Sequence, residues 1–285
     1  MQSNNPVFRR SEEFNSAGST RQGYGQTGYT DPATWGTGAP GQPGAGPGVQ
    51  TPVSTGPMTI DSVVQKTAIT LFLVIAAAAV TWWMTPEIKT TTTNADIAPL
   101  IAAMTIGSLA AFGLSLVNSF KRVISPALVM AFAVAEGIAL GALSKFFDAQ
   151  FGDGVVTHAV IGTFAAFAGT LAAYKFFDIQ VGNKFRTFVI AAVFGMVGLS
   201  LLEVVLNLFG SGLGLFGFGG MGLLFSIAGL VLGVFMLILD FDFVEQGVAN
   251  GLPERESWRA AFGLTVSLVW IYTNLLRIMA IFGDG

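Results

Sequence analysis

The sequence predicts an all-α, polytopic membrane protein with seven transmembrane helices and a disordered N-terminal tail. Two observations predict this class: the composition of the 285 residues and seven long apolar stretches. Hydrophobic residues make up 52% of the chain and charged residues only 11%, with a mean hydropathy of +0.65. Soluble domains carry about 25% charged residues. We therefore expect a lipid bilayer around the chain, and the net charge of -3 argues against a nucleic-acid partner.

The tail covers residues 1–57, which hold seven of the eleven prolines and eleven of the thirty-six glycines. This composition buries too little apolar surface to offset the entropy lost on ordering, and it predicts disorder. It also lacks the pattern of a signal peptide. The scattered aromatics Tyr24, Tyr29 and Trp35 could contact a partner, although a solvated tail without a partner is the favoured interpretation.

Each apolar stretch after Met58 is long enough to cross about 30 Å of hydrocarbon as a helix. The four prolines outside the tail fall at the ends of these stretches or in loops, as continuous helices require. In chain order, the predicted spans are Thr67–Thr85, Ile97–Phe120, Val123–Ser144, Val155–Tyr174, Thr187–Phe209, Gly219–Leu239 and Trp258–Phe282.

Lysine and arginine are distributed very unevenly between the two sides of the predicted bundle. The side of the tail carries eleven of them, whereas the other side carries only Lys89 and Lys145. The positive-inside rule therefore predicts a cytoplasmic N-terminus and, with seven spans, a C-terminus outside.

Asp240 and Asp242 follow the apolar run of the sixth span. Gly229, Gly233 and Asp240 share one helix face, and small residues four apart allow close helix packing, so we expect Asp240 to point into the bundle near its cytoplasmic mouth. Asp242 lies about 200° further round the helix and should reach the headgroups or a neighbouring loop. Gly137 and Gly141 form a second such pair, for which packing within the bundle is favoured over a dimer interface.

Other polar groups inside the predicted spans are few. Glu136 lies about 16 Å into the third span, and Glu203 lies about 24 Å into the fifth, with Asn207 on the same face. Ionisable groups at such depths usually face a cavity or a partner. The sequence suggests a hydrated path with Glu203 and Arg277 outside, Glu136 midway and Asp240 inside.

The seventh span carries a polar stripe of Ser267, Asn274 and Arg277. Ser267 and Asn274 are expected mainly to form hydrogen bonds between helices. For Arg277, two interpretations are equally favoured: pairing with Glu203, or snorkelling to the outer interface.

Enzymatic function is not predicted. The GxGxxG string at 212–217 follows an apolar helix rather than a strand, the single histidine is His158, and no hydrolase motif is present. An intramembrane aspartyl protease is disfavoured because Asp240 and Asp242 face apart. We expect no cofactor and no metal centre, and the lack of cysteine excludes thiolate sites.

Over residues 60 to 283 the chain resembles the transmembrane Bax inhibitor motif family, in particular its bacterial branch. The resemblance rests on the seven spans, on Glu136-Gly137-Ile-Ala-Leu-Gly141, on Leu239-Asp240-Phe-Asp242 and on Leu275-Leu276-Arg277-Ile278. It implies a bacterial plasma-membrane protein in which six helices wrap a central hydrophobic one. It also implies a pH-sensitive calcium leak controlled by two aspartates, which share a proton at the cytoplasmic gate.

Asp240 matches the first aspartate of this pair, and alignment on Leu275-Leu276-Arg277 places Ser267 at the second. The resemblance thus implies a buried aspartate with a serine as hydrogen-bond partner, and we take Asp240 as the proton-dependent gate of a cation leak. A non-conducting protein that regulates a membrane-bound ATP-dependent protease, with the tail as docking segment, is the alternative. The ion, the direction of flux and the oligomeric state stay open.

Overall fold

A computed structural model describes residues 56–88, 94–152 and 154–283, with only the backbone of residues 94–96. Within these ranges the chain forms seven helices, each long and apolar enough to cross a membrane, and the only strand-like feature is an isolated bridge between Pro57 and Pro253. The predicted fold class is confirmed. The helices are α1 Ile60–Met84, α2 Asn94–Phe120, α3 Pro126–Phe151, α4 Val155–Phe176, α5 Asn183–Leu208, α6 Gly220–Ala249 and α7 Glu256–Gly283. The predicted tail lies outside the described residues except for Gly56 and Pro57.

Three helices extend well beyond the predicted spans. Helix α1 begins seven residues earlier than predicted, where Thr59 and Ser62 form a reciprocal capping box. Helix α3 ends seven residues later at Phe151, and α6 continues ten residues past Leu239 to Ala249. Hydropathy detects only the apolar part of a helix, so the polar turns beyond the hydrocarbon were missed.

Helix α7 occupies the centre of the bundle, in the arrangement that the family resemblance implies. It packs against α1, α3, α4 and α6, and Leu268, Ile271 and Leu276 on it are buried. Helices α2 and α5 lie at the periphery, since α2 packs mainly on α3 and α5 on α6. Side chains on α7 can therefore contact side chains on four other helices.

The two glycine pairs pack inside the bundle, as predicted. A Cβ added to Gly137 would lie 2.7 Å from the Cβ of Ala77, and one added to Gly141 would lie 2.8 Å from the Cα of Ala78. Because real Cβ atoms do not approach this closely, glycine is required where α3 crosses α1. Lys145 of α3 also donates hydrogen bonds to carbonyls at the end of α1, those of Trp82 and Thr85. A cation there complements the negative end of the helix dipole.

The chain just before α1 is bonded to the loop between α6 and α7. The Met58 N–H donates to the Leu252 carbonyl at 2.6 Å, and the Glu254 N–H donates to the Gly56 carbonyl at 2.9 Å. The Met58 side chain is only 2% exposed, and Lys66 forms a 2.9 Å ion pair with Glu254. The folded part of the chain thus includes Gly56 and Pro57, which the sequence assigned to the tail.

Candidate functional site

Asp240 points into the bundle, towards α7. The Ser267 hydroxyl donates to Oδ2 of Asp240 at 2.5 Å, and Ser267 itself is 1% exposed. The serine partner expected from the family resemblance is therefore present. Further along the same α6 face, Gly229 and Gly233 lie against Asn274 and Ile271 of α7, which explains why the aspartate faces inward.

The contact lies within both helices rather than at their ends. Asp240 is nine residues before the end of α6, and Ser267 is eleven residues after the start of α7. At 1.5 Å per residue these distances are roughly 13 to 17 Å. The carboxylate is therefore about two to three turns inside the helix ends, because α6 continues past Asp240.

A cavity of about 340 Å³ opens beside Asp240, between peripheral helices α2 and α5. Its walls are mostly apolar, and its polar lining comes from Asp240, Ser267, Ser115 and Ser119. Among the described residues no basic side chain pairs with Asp240. A carboxylate in this position can be compensated by a proton, by water or by an incoming cation.

Asp242 has a different environment, and the prediction that it reaches the headgroups or a loop is wrong. Its carboxylate is buried and accepts a 2.6 Å hydrogen bond from Nη2 of Arg186, in the first turn of α5. Nε2 of Gln246, one turn further along α6, also donates to it at 2.8 Å. Asp242 is thus a neutralised link between α5 and α6. The prediction missed it because α5 begins earlier than expected, which brings Arg186 within reach.

Glu136 lies on the α7 side of α3. Four residues before it Phe132 stacks edge-on against Phe262, and eight residues after it Ser144 bonds to Tyr272. Glu136 is partly buried and forms no hydrogen bond with another described residue. It does not line the cavity beside Asp240. Glu136 therefore lies near α7, as Asp240 does, but outside the cavity beside Asp240.

Glu203 is 1% exposed and binds backbone rather than a side-chain cation. Its two oxygens accept hydrogen bonds from the N–H groups of Leu213, Gly214 and Leu215, at 2.8, 2.9 and 3.1 Å. These groups belong to the GxGxxG segment, so the donors that such a loop would offer to a phosphate are bound by the protein itself. Asn207 supports this turn by donating to the Glu203 carbonyl at 2.9 Å.

Arg277 does not pair directly with Glu203, and its side chain reaches the loop between α5 and α6. Its Nη2 donates to the Leu215 carbonyl at 2.7 Å, and its guanidinium lies 5.3 Å from the centre of the Phe216 ring. Glu203 thus binds backbone N–H groups of the 213–215 loop, and Arg277 binds a backbone carbonyl of the same loop. Neither lines the cavity beside Asp240, so the structure does not join the predicted path groups in one cavity.

Asn274 lies at the α6–α7 contact, but its hydrogen bond is within α7 rather than between helices as expected. Its amide donates to the Trp270 carbonyl at 2.7 Å, and its side chain lies against Gly229. The Trp270 indole in turn donates to the Gly229 carbonyl at 2.9 Å. The Trp270–Gly229 bond holds the two helices together about three turns from Asp240.

Sequence reasoning missed three residues of the site: Gly263, Ser115 and Ser119. A Cβ added to Gly263 would lie 2.9 Å from Oδ1 of Asp240, so glycine here leaves room for the carboxylate. Gly263 precedes Ser267 by one helical turn, and this spacing was the available signal. Ser115 and Ser119 have the same spacing on α2, but nothing in the sequence showed that α2 borders Asp240.

Fold and site together define a seven-helix membrane protein in which α7 is central and the bundle holds a carboxylate that has no basic partner among the described residues. The family described as Bax inhibitor 1 like matches residues 5–284, and the chain belongs to this family. The match begins at residue 5, so the extent inferred from the sequence, residues 60 to 283, was too short.

The chain is also similar to an uncharacterized protein of Chlamydia muridarum (strain MoPn / Nigg). The two are 27% identical over 158 residues, which is 54% of this chain and 63% of the relative. The chain thus matches less than two thirds of that relative's length.

Proposed function

We propose that this protein is a pH-sensitive cation leak, with calcium as the expected ion and Asp240 as the gate. The observation that carries the proposal is the position of the Asp240 carboxylate: inside the bundle, bonded to Ser267, beside a cavity, and without a basic partner among the described residues. We also propose that the N-terminus lies in the cytoplasm of a bacterial cell, because lysine and arginine are concentrated on that side of the bundle.

The mechanism follows from how charge is compensated at neighbouring positions. Asp242 is neutralised by Arg186, so a change of charge on α6 at this level falls on Asp240. When Asp240 carries a proton, it is neutral and the α6–α7 contact can stay closed. When the proton leaves, a negative charge remains in an apolar cavity and attracts either water or a hard cation, which carboxylate and hydroxyl oxygens suit.

Within the described ranges no three His, Asp or Glu side chains converge as a metal-binding group. Calcium therefore enters the proposal as a transported ion with transient ligands. Ser267, Ser115 and Ser119 supply the other side-chain oxygens of the cavity.

The test is calcium-dye flux into vesicles that contain the purified full-length protein, measured across pH. Asp240→Asn should abolish the pH dependence, whereas Ser267→Ala should keep it and move its midpoint. Asp61→Asn is the matched control, because Asp61 is an exposed carboxylate in the first turn of α1. A parental pH profile in Asp240→Asn would end the proposal.

The same variants separate the leak from the regulatory alternative. A regulator of a membrane-bound protease should tolerate Asp240→Asn and lose its effect when residues 1–55 are deleted. A leak should show the reverse pattern.

A further inference from the structure

A second and larger cavity lies on the opposite half of the bundle, between α1 and α4. Both helices pack on α3 and α7, but they are not packed against each other, and the gap between them forms a groove of about 570 Å³. We call it the α1–α4 groove. Its floor includes Leu140 and Gly141 of α3 and Leu268 of α7.

The groove runs from the helix ends to the middle of the bundle. Its shallow end is lined by Trp82, Asp148 and Thr157, near the end of α1, the end of α3 and the start of α4. Its deep end is lined by Leu71 and Phe164. Eleven residues separate Trp82 from Leu71, so the groove is about 16 Å long at 1.5 Å per residue. One leaflet of hydrocarbon is about 15 Å thick, half of the bilayer core.

Three hydroxyl groups that line the groove already form hydrogen bonds within the protein. Ser144 donates to the Leu140 carbonyl at 2.6 Å and is bonded to the Tyr272 hydroxyl at 2.6 Å, while Thr163 donates to the Ala159 carbonyl at 2.7 Å. These three hydroxyls therefore offer no free donor to an occupant. Of the other lining residues, Asp148 and Thr157 lie at the shallow end, whereas those deeper in the groove are aliphatic or aromatic or glycine. An apolar chain therefore suits the deep part of the groove better than a polar ligand.

The dimensions also select the shape of the occupant. A transmembrane helix of another protein spans about 30 Å of hydrocarbon, about twice the length of the groove. The groove, at about 16 Å, matches one extended hydrocarbon chain of a single leaflet.

We propose that the α1–α4 groove binds one acyl chain of a membrane glycerolipid. The lipid enters from the leaflet at the end where α1 ends and α4 begins, with its headgroup beside Trp82. An indole at that level matches the interfacial preference of tryptophan. This site is separate from the Asp240 cavity, and the inference does not depend on the proposed leak.

The test uses the full-length protein in lipid nanodiscs and two phosphatidylglycerol probes. One carries a diazirine near the terminal methyl of an acyl chain, and the other carries it near the ester. After photolysis, mass spectrometry of peptides should place the first adduct near Leu71 and Phe164 and the second near Trp82. Labelling in the groove should exceed that on the outer face of α2, at Ile106 and Phe112, at least five-fold.

Groove-filling variants provide the matched comparison. Ala79 and Val160 line opposite walls and are exposed, so Ala79→Trp with Val160→Trp should fill the groove and reduce its labelling at least five-fold. Val80→Trp with Ile161→Trp adds the same bulk one residue along each helix, outside the groove, and should leave labelling unchanged.

Three outcomes would overturn the inference. Labelling of the groove at the level of the α2 face would show ordinary surrounding lipid. Labelling unchanged by Ala79→Trp with Val160→Trp would place the lipid elsewhere. Labelling of the groove below that of the α2 face would show that lipid is excluded from it, as a bound protein segment would exclude it. The comparison with the α2 face uses the parent protein alone, so it holds even if a variant fails to fold.

Discussion

Replacing Glu203 by glutamine should destabilise the protein strongly, because the carboxylate accepts three backbone hydrogen bonds with two oxygens. Glutamine has one acceptor oxygen, and its NH2 group would face a backbone N–H of the 213–215 loop. One partly buried donor then loses its acceptor, which costs about 1 to 3 kcal/mol, and two bonds change from a charged to a neutral acceptor, at about 1 kcal/mol each. We expect the free energy of unfolding to fall by about 3 to 5 kcal/mol.

The assay is equilibrium unfolding in mixed detergent and SDS micelles, followed by tryptophan fluorescence. Glu136→Gln is the matched control, because Glu136 is partly buried without a hydrogen bond to a described residue, and its change should stay below about 1 kcal/mol. Combining Glu203→Gln with Arg277→Met should cost less than the sum of the single changes, because both side chains hold the same loop. Equal effects of Glu203→Gln and Glu136→Gln would refute the reasoning.

Two further predictions concern the surroundings of Asp240. Arg186→Met should lower the free energy of unfolding by about 2 to 3 kcal/mol, somewhat less than for a fully buried pair because the Arg186 side chain is 29% exposed. Adding Asp242→Asn should recover part of this loss in the same unfolding assay. A further loss in the double variant would contradict the pairing. Gly263→Ala should crowd Asp240 and move the pH midpoint of vesicle flux, whereas Gly195→Ala, which meets no atom within 4 Å, should leave the midpoint unchanged. Identical midpoints in both glycine variants would show that the added methyl group does not disturb the carboxylate.

The fold was largely predictable because the hydrophobic signal of a membrane span is strong and local. All seven spans were placed, and the face shared by Gly229, Gly233 and Asp240 followed from helical periodicity. The polar ends of the helices were not predictable in this way, since the last ten residues of α6 carry no hydropathy signal of their own. That error ended the sixth span at Leu239, so Asp240 was placed after the span although it lies nine residues before the end of α6.

The site was predictable only in part, because polar partners from different helices depend on packing. The Asp240–Ser267 contact came from the family resemblance, and the inward direction of Asp240 came from spacing. The partner of Asp242 and the loop bound by Glu203 required knowledge of which helix ends meet in space. The sequence gives the charge of each carboxylate and its position along a helix, but not its partner. Asp242 is paired with a side chain of a neighbouring helix, and Glu203 with the backbone of a loop.

Two backbone hydrogen bonds join the segment before α1 to the loop after α6, between Met58 and Leu252 and between Glu254 and Gly56. Residue 56 is tied to the turn that immediately follows α6, and Asp240 lies nine residues before the end of that helix. A truncation that removes Gly56 and Met58 would therefore break both hydrogen bonds to this turn, whereas one that removes only residues 1–55 would keep them.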